Sequence, residues 1–213
     1  MALMPELLVT AFITFFVVID PIGLAPLFAG FTSHAAPGRE RGMIAVRGVA
    51  ISAVVLLLFA LAGDWLLDAL GIGLPAFRIA GGLLLMLLAM EMVMARHSGL
   101  SSTTPDEARE AARSGDVAVF PLAIPLIAGP GALTSVLLLL GQAEGDRLLQ
   151  AGVLGMMLLV LALTLASLLL TSRIMRVLGV TGTNVLTRVF GILTAALAVQ
   201  FIVDGVQVVL GRA

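Results

Sequence analysis

The sequence predicts an all-α polytopic membrane protein: six transmembrane helices forming two inverted three-span repeats, with helices 1 and 4 broken. Three observations carry that reading. Apolar residues make up 60% of the 213 positions and charged residues only 12%. Six apolar runs are each long enough to cross a bilayer, and Pro/Gly interruptions recur at corresponding places in the two halves. A water-soluble domain is about one-quarter charged. Half that share cannot cover so much apolar surface, so the solvent for most of the chain is lipid.

A hydrocarbon core of about 30 Å needs about 20 apolar residues in a helix. The qualifying runs are 5–31, 43–63, 76–95, 117–140, 148–171 and 186–210. The first carries Glu6 as its one ionisable side chain before Asp20 and has no basic leader, so it reads as a span and not as a signal peptide. The organisation is a first repeat over 1–95, a linker over 96–116 and a second repeat over 117–213, together one membrane domain. Within the linker, Thr104-Pro105-Asp106-Glu107 has the pattern of a capping box opening a short surface helix.

Arginines set the expected orientation. Loops one, three and five with their edges hold Arg39, Arg41, Arg47, Arg96, Arg109, Arg113, Arg173 and Arg176. The other side holds Arg147, Arg212 and, at headgroup level, Arg78. The odd-numbered loops are therefore expected in the cytoplasm and both termini outside, in a multi-pass protein of the plasma (inner) membrane.

The halves match at an offset of about half the chain. Arg78-Ile79-Ala80-Gly81-Gly82 corresponds to Arg188-Val189-Phe190-Gly191-Ile192, and Asp20-Pro21-Ile22-Gly23 to Gly129-Pro130-Gly131-Ala132. An odd number of spans per half makes the second half enter from the opposite face. The resulting pseudo-two-fold axis in the membrane plane permits two related states, one open to each side.

Proline lacks an N–H and biases its predecessor away from helix. Span one is interrupted at Asp20-Pro21-Ile22-Gly23-Leu24-Ala25-Pro26. Span four is interrupted at Pro121, Pro125 and Gly129-Pro130-Gly131. Paired interruptions near the midplane point to a substrate site. Half-helix N-termini there suit a carboxylate, and carbonyl ends suit an ammonium or a small cation. A zwitterionic amino acid matches both. The candidate substrate-binding residues are Asp20, Pro21, Gly23, Pro26, Pro125, Gly129, Pro130, Gly131, Thr134 and Ser135. Asp20 reads equally as a ligand for an amine, Na⁺ or the coupling H⁺, and as the cap of its own broken helix. Arg78, Arg188 and Gln200 are candidates for gating or structural roles. Gly81, Gly82 and Gly191 read as sites of close helix packing.

The sequence has no cysteine, and its net charge of −1 excludes a nucleic-acid footprint. No HExxH, Walker A or dinucleotide fingerprint occurs, so no enzyme is expected. No cofactor or metal is expected beyond a coupling Na⁺ or H⁺. The expected partners are the bilayer and a small-molecule substrate, with homo-oligomerisation left open.

The motifs Asp20-Pro21-Ile22-Gly23-Leu24-Ala25-Pro26-Leu27-Phe28, Phe77-Arg78-Ile79-Ala80-Gly81-Gly82 and Phe120-Pro121-Leu122-Ala123-Ile124-Pro125-Leu126-Ile127-Ala128-Gly129-Pro130-Gly131 together resemble the MarC family of membrane proteins. Asn184, Arg188, Gly191 and Val199-Gln200-Phe201 are similar to that family's final span. The resemblance covers essentially the whole chain. It implies a six-span inner-membrane protein related to LysE-type exporters, with small neutral amino acids such as glycine or alanine as cargo. The competing expectations are a non-transporting scaffold or regulatory protein, with a dry interior at the two breaks, and an exporter of other small or hydrophobic compounds, with a wide apolar cavity.

Overall fold

A computed structural model describes residues 3–32, 38–94, 117–143 and 145–211. The linker expected at 96–116, with its surface helix, lies outside these residues. All regular structure among the described residues is helical: α1 (Leu3–Ile19), α2 (Leu24–Phe31), α3 (Arg39–Ala69), α4 (Leu74–Met94), α5 (Ala118–Ile127), α6 (Pro130–Gln142), α7 (Arg147–Leu169) and α8 (Thr171–Val209).

These helices form the expected spans. Pro5–Gly30, Arg39–Gly63, Leu74–Met94, Arg147–Leu169 and Thr171–Val209 are each long and apolar enough to cross. The sixth crossing is the pair α5 and α6, bent by 52°. The final helix differs from expectation, because it begins at Thr171 and not near residue 186. Arg173, Arg176, Thr181, Thr183 and Asn184 lower the hydropathy of its first turns and hide their helical character. Gly179, at φ 64°, divides this stretch from the long apolar segment, a backbone conformation that glycine adopts without steric cost.

Helix ends close their own hydrogen bonds where the chain turns. At the end of α3, Gly71 at φ 69° sends its N–H to Asp68 O, and Ile72 N–H reaches Leu67 O at 2.9 Å. That pair satisfies carbonyls the helix would otherwise leave open. Asp146 caps α7 by accepting from the N–H groups of Leu148 and Leu149, both at 3.0 Å, as a side-chain oxygen at this position does.

Packing centres on α1, α6 and α7, whose Phe15, Val136, Leu138, Leu139, Val153, Met157 and Val160 are fully buried. α1 packs on α7, and α5 and α6 pack on α3. α1 and α2 lie against α8, α6 lies against α4, and α3 meets α7. The most extensive helix pair is α4 with α8. Its backbones approach at glycines, as the sequence led us to expect for Gly82 and Gly191. A Cβ at Gly82 would sit 2.8 Å from Ala198 O, and one at Gly191 2.9 Å from Met92 Cβ. Gly205 faces Pro75 O in the same manner, at 2.8 Å. Gly81 instead makes room for Thr134 of α6. Without a hydrophobic drive between helices in lipid, such close approach is a main source of association.

A carbonyl cannot yield as a flexible side chain can. Gly82→Ala is expected to lower the apparent Tm of the detergent-solubilised protein, by an overpacking cost of about 1–3 kcal/mol. Gly155→Ala, where a Cβ meets nothing within 4 Å, is expected to leave Tm unchanged or raise it slightly. A thermal unfolding series on the two variants checks the contrast.

Candidate functional site

The first break is organised by a single carboxylate. Asp20 N–H still bonds Phe16 O at 3.1 Å, so the α1 ladder runs to its end there. Asp20 then turns left-handed, at φ 48°, a conformation that non-glycine residues adopt rarely and Asp more readily than most. Pro21 follows with no N–H to place. Asp20 O accepts from Leu24 N at 3.0 Å, and Asp20 Oδ1 accepts from Gly23 N at 2.9 Å. The Asp20 side chain thus caps the turn over 21–23 that leads into α2, whose own N-cap position, Gly23, has no side-chain cap.

The same carboxylate reaches across the protein. Asp20 Oδ2 accepts from Thr187 Oγ1 of α8 at 2.9 Å, and Asp20 is 7% exposed. Ser167 Oγ of α7 donates to the neighbouring Pro21 carbonyl. Pro26 lacks the N–H that would bond Ile22 O, and Ala25 N takes that carbonyl instead, at 3.2 Å. Gly23 is required by contact: a Cβ there would overlap Asp20 Oδ2 and Thr187 Oγ1.

The second break is organised by backbone alone. Phe120 and Ile124 are extended (φ −134°, ψ 125° and φ −127°, ψ 125°), the conformation that a following proline favours. Between them the chain winds in wide turns, with Leu122 N–H to Val117 O at 3.4 Å and Ala128 N–H to Ala123 O at 2.8 Å. Ser52 of α3 donates to Gly48 O at 2.9 Å and sets its hydroxyl 3.5 Å from Ala123 O. Gly129 is extended, and α6 starts at Pro130 with no side-chain cap. A Cβ at Gly129 would overlap Pro125 O. The first turn of α6 is thus uncapped by any side chain, where unpaired N–H groups and the helix dipole favour negative charge.

The two breaks are neighbours. A Cβ at Gly131 would lie 3.1 Å from Val18 Cγ1, and Val18 is two residues before Asp20. Val18, Pro125, Gly129, Pro130 and Gly131 line one cavity of about 30 Å³, closed by Leu84 and Leu88 of α4. That volume suits about one water molecule. Asp20, Pro21, Gly23 and Pro26 lie outside its lining, as do Thr134 and Ser135. Ser135 Oγ donates to Gly131 O at 2.8 Å, and Thr134 is buried against Gly81. The end of α1 therefore packs on the start of α6, while the Asp20 carboxylate, turned to Gly23 and Thr187, lies outside the cavity between them.

The remaining candidates lie apart from the breaks. Arg78 is half-buried one turn into α4, beside Gly205, and its Nε has no hydrogen-bond partner among the described residues. Arg188 is exposed on α8. Gln200 is exposed and donates to Asp204 Oδ1 one turn on, at 2.7 Å.

Thr187, Ser167 and Ser52 escaped the sequence reading. A signal for two of them exists. Thr183, Thr187, Gly191 and Thr194 form a small, polar stripe along α8, and Thr164, Ser167 and Thr171 form another across the end of α7.

Residues 5–210 match the family described as MarC family integral membrane protein. The chain belongs to the MarC family. Its similarity to curated MarC-like relatives extends over nearly full lengths. A UPF0056 membrane protein of Methanocaldococcus jannaschii is 36% identical over 201 residues, covering 93% of this chain and 95% of the relative. A UPF0056 membrane protein of Aquifex aeolicus is 34% identical over 207 residues, covering 94% and 92%. The UPF0056 inner membrane protein YhgN of Escherichia coli is 33% identical over 204 residues, covering 94% and 96%. No solved structure matches. This MarC chain is therefore an integral multi-pass membrane protein, in which the end of α1 packs against the start of α6.

If Thr187 holds the first break through Asp20, Thr187→Val should cost about 1 kcal/mol, the scale of interhelical hydrogen bonds in membranes. In a double-mutant cycle with Asp20→Asn, the two losses should fall short of additive. Thermal or denaturant unfolding of the four proteins in one detergent measures the coupling.

Proposed function

We propose that this MarC family member is a secondary transporter that moves small neutral amino acids, of glycine or alanine size, by alternating access. One observation carries the reading: the two interrupted spans meet, with the end of α1 against the uncapped first turn of α6. Broken helices in matching positions are where transporters of inverted-repeat design hold substrate. The inverted repeat itself draws support from the packing. α1 meets α7 as α5 and α6 meet α3, α1 and α2 meet α8 as α6 meets α4, and the final spans of the halves pair with each other.

In this reading the substrate carboxylate sits at the N–H groups of Gly131 and Ala132, where the helix dipole favours it. The ammonium group, or a coupling Na⁺ or H⁺, sits at Asp20. A carboxylate has about four lone-pair sites, and the structure uses two of them. The water-sized cavity then belongs to a closed state. Opening separates α8 from the first break and frees Oδ2 of Asp20 from Thr187. With no nucleotide-binding motif in the sequence, the energy comes from an ion gradient or from a separate subunit. The relative named as an inner membrane protein and the arginine distribution support an inner-membrane location with the odd-numbered loops cytoplasmic.

A second reading has its own observation. A cavity of about 30 Å³ and a carboxylate bonded through both oxygens within the protein are what a non-transporting scaffold would show. Among the described residues, the cavity at the second break is water-sized and not the wide apolar one that an exporter of hydrophobic compounds calls for.

Reconstituted protein should accumulate radiolabelled glycine or alanine under an imposed Na⁺ or H⁺ gradient, and Asp20→Asn should lose most of that uptake. Wild-type vesicles that accumulate no amino acid under either gradient would leave the scaffold reading standing. An Asp20→Asn variant transporting at the wild-type rate would remove Asp20 from the mechanism.

A further inference from the structure

A second cavity lies at the loop-one and loop-five side of the protein, away from the two breaks. Its volume is about 210 Å³, an order of magnitude above the ~10–15 Å³ that admits one water. It is framed by the end of α2, the start of α3 and the junction of α7 with α8. Among the described residues of its lining, Arg41 is the charged one and no carboxylate accompanies it. Arg41 Nε donates to Thr32 O at 3.1 Å, which anchors the guanidinium against the end of α2. Its terminal nitrogens belong to the fork geometry that matches phosphate and carboxylate oxygens.

The rest of the wall is divided by polarity. Thr32, Thr171 and Ser172 supply hydroxyls, while Phe28, Leu168 and Leu169 supply hydrocarbon. Thr32 and Thr171 are held by bonds to Phe28 O and Leu168 O, at 2.6 and 2.7 Å. Phe28 and Leu168 are buried, but Leu169 is 54% exposed, on a helix that crosses the membrane. The cavity therefore borders the lipid-facing surface at one side. Arg41 stands in the first turn of α3, where a crossing helix meets the headgroup layer. α3 has no side-chain cap at this end, and Glu40, the acidic residue of its first turn, lies outside the cavity lining.

From this combination we infer that the Arg41 cavity is a binding site for a phosphate-bearing headgroup, with an anionic phospholipid as its source. The phosphodiester meets the Arg41 guanidinium and the Ser172 hydroxyl, and an acyl chain leaves past Leu169. Arg39, Arg173 and Arg176 lie on the same side of the fold and raise the local concentration of anionic lipid. This site is independent of the transport reading and of the Asp20 break.

The test uses delipidated protein in a neutral detergent, with thermal stability followed during titration of phosphatidylglycerol, phosphatidylcholine or glycerol 3-phosphate at constant ionic strength. Phosphatidylglycerol should stabilise the wild type and phosphatidylcholine should not. Arg41→Gln should raise the half-saturating phosphatidylglycerol concentration about tenfold, a loss of about 1.4 kcal/mol. Gly42→Leu keeps Arg41 and fills the cavity from a position where a Cβ meets only Leu169, at 3.7 Å, so it should produce the same loss even if Arg41→Gln folds poorly. Arg173→Gln removes an equal charge outside the lining and should shift the half-saturating concentration much less than Arg41→Gln does. Equal stabilisation by glycerol 3-phosphate would uphold the phosphate site and overturn its lipid source. Unchanged titration in Arg41→Gln and Gly42→Leu, or an equal loss in Arg173→Gln, would overturn the site.

Discussion

Hydrocarbon gives a backbone amide or carbonyl no partner, so every interruption in a membrane helix must be closed from within the protein. The architecture turns on how that requirement is met at residue 20. One carboxylate terminates α1, caps the segment after it and bonds a hydroxyl on α8. The position of α8 is in turn what lets α4 pack along it through glycine contacts. Remove the carboxylate and a bend, a cap and an interhelical tie are all affected together.

The second break meets the same requirement by other means. There the wide turns of α5 absorb two prolines, and α6 begins without a side-chain cap. The two halves thus share an interruption but differ in chemistry. One break presents a buried acidic side chain, the other a helix end favourable to negative charge. A ligand bearing both signs of charge would find complementary ends on the two halves, and this asymmetry is what the transport reading rests on.

Much of this was legible in the sequence because it depends on local chemistry. Span count follows from run length and charge depletion. The breaks follow from the stereochemistry of Pro21, Pro121, Pro125 and Pro130, and the glycine contacts of α4 and α8 from residue size. Distant pairings were hidden. Thr187 is 167 positions from Asp20 and Ser167 is 146 from Pro21, and only the packing of α7 and α8 brings them together. The start of α8 was missed because arginines and threonines extend a helix beyond the apolar run on which hydropathy depends. Nor does a linear sequence show whether two neighbouring breaks share a cavity, since that turns on a few ångströms around Val18 and Gly131.

The crowding at Gly23 has a consequence for how this part of the chain varies among relatives. A side chain at 23 has no room while Asp20 and the residue at 187 hold hands over it. The three positions form one unit of substitution, although two of them lie in the first span and the third in the last. A relative that loses the hydroxyl at 187 gains freedom at 23, and one that gains bulk at 23 must reshape 187. Covariation between these distant positions would record, in sequence alone, a contact that no local motif announces.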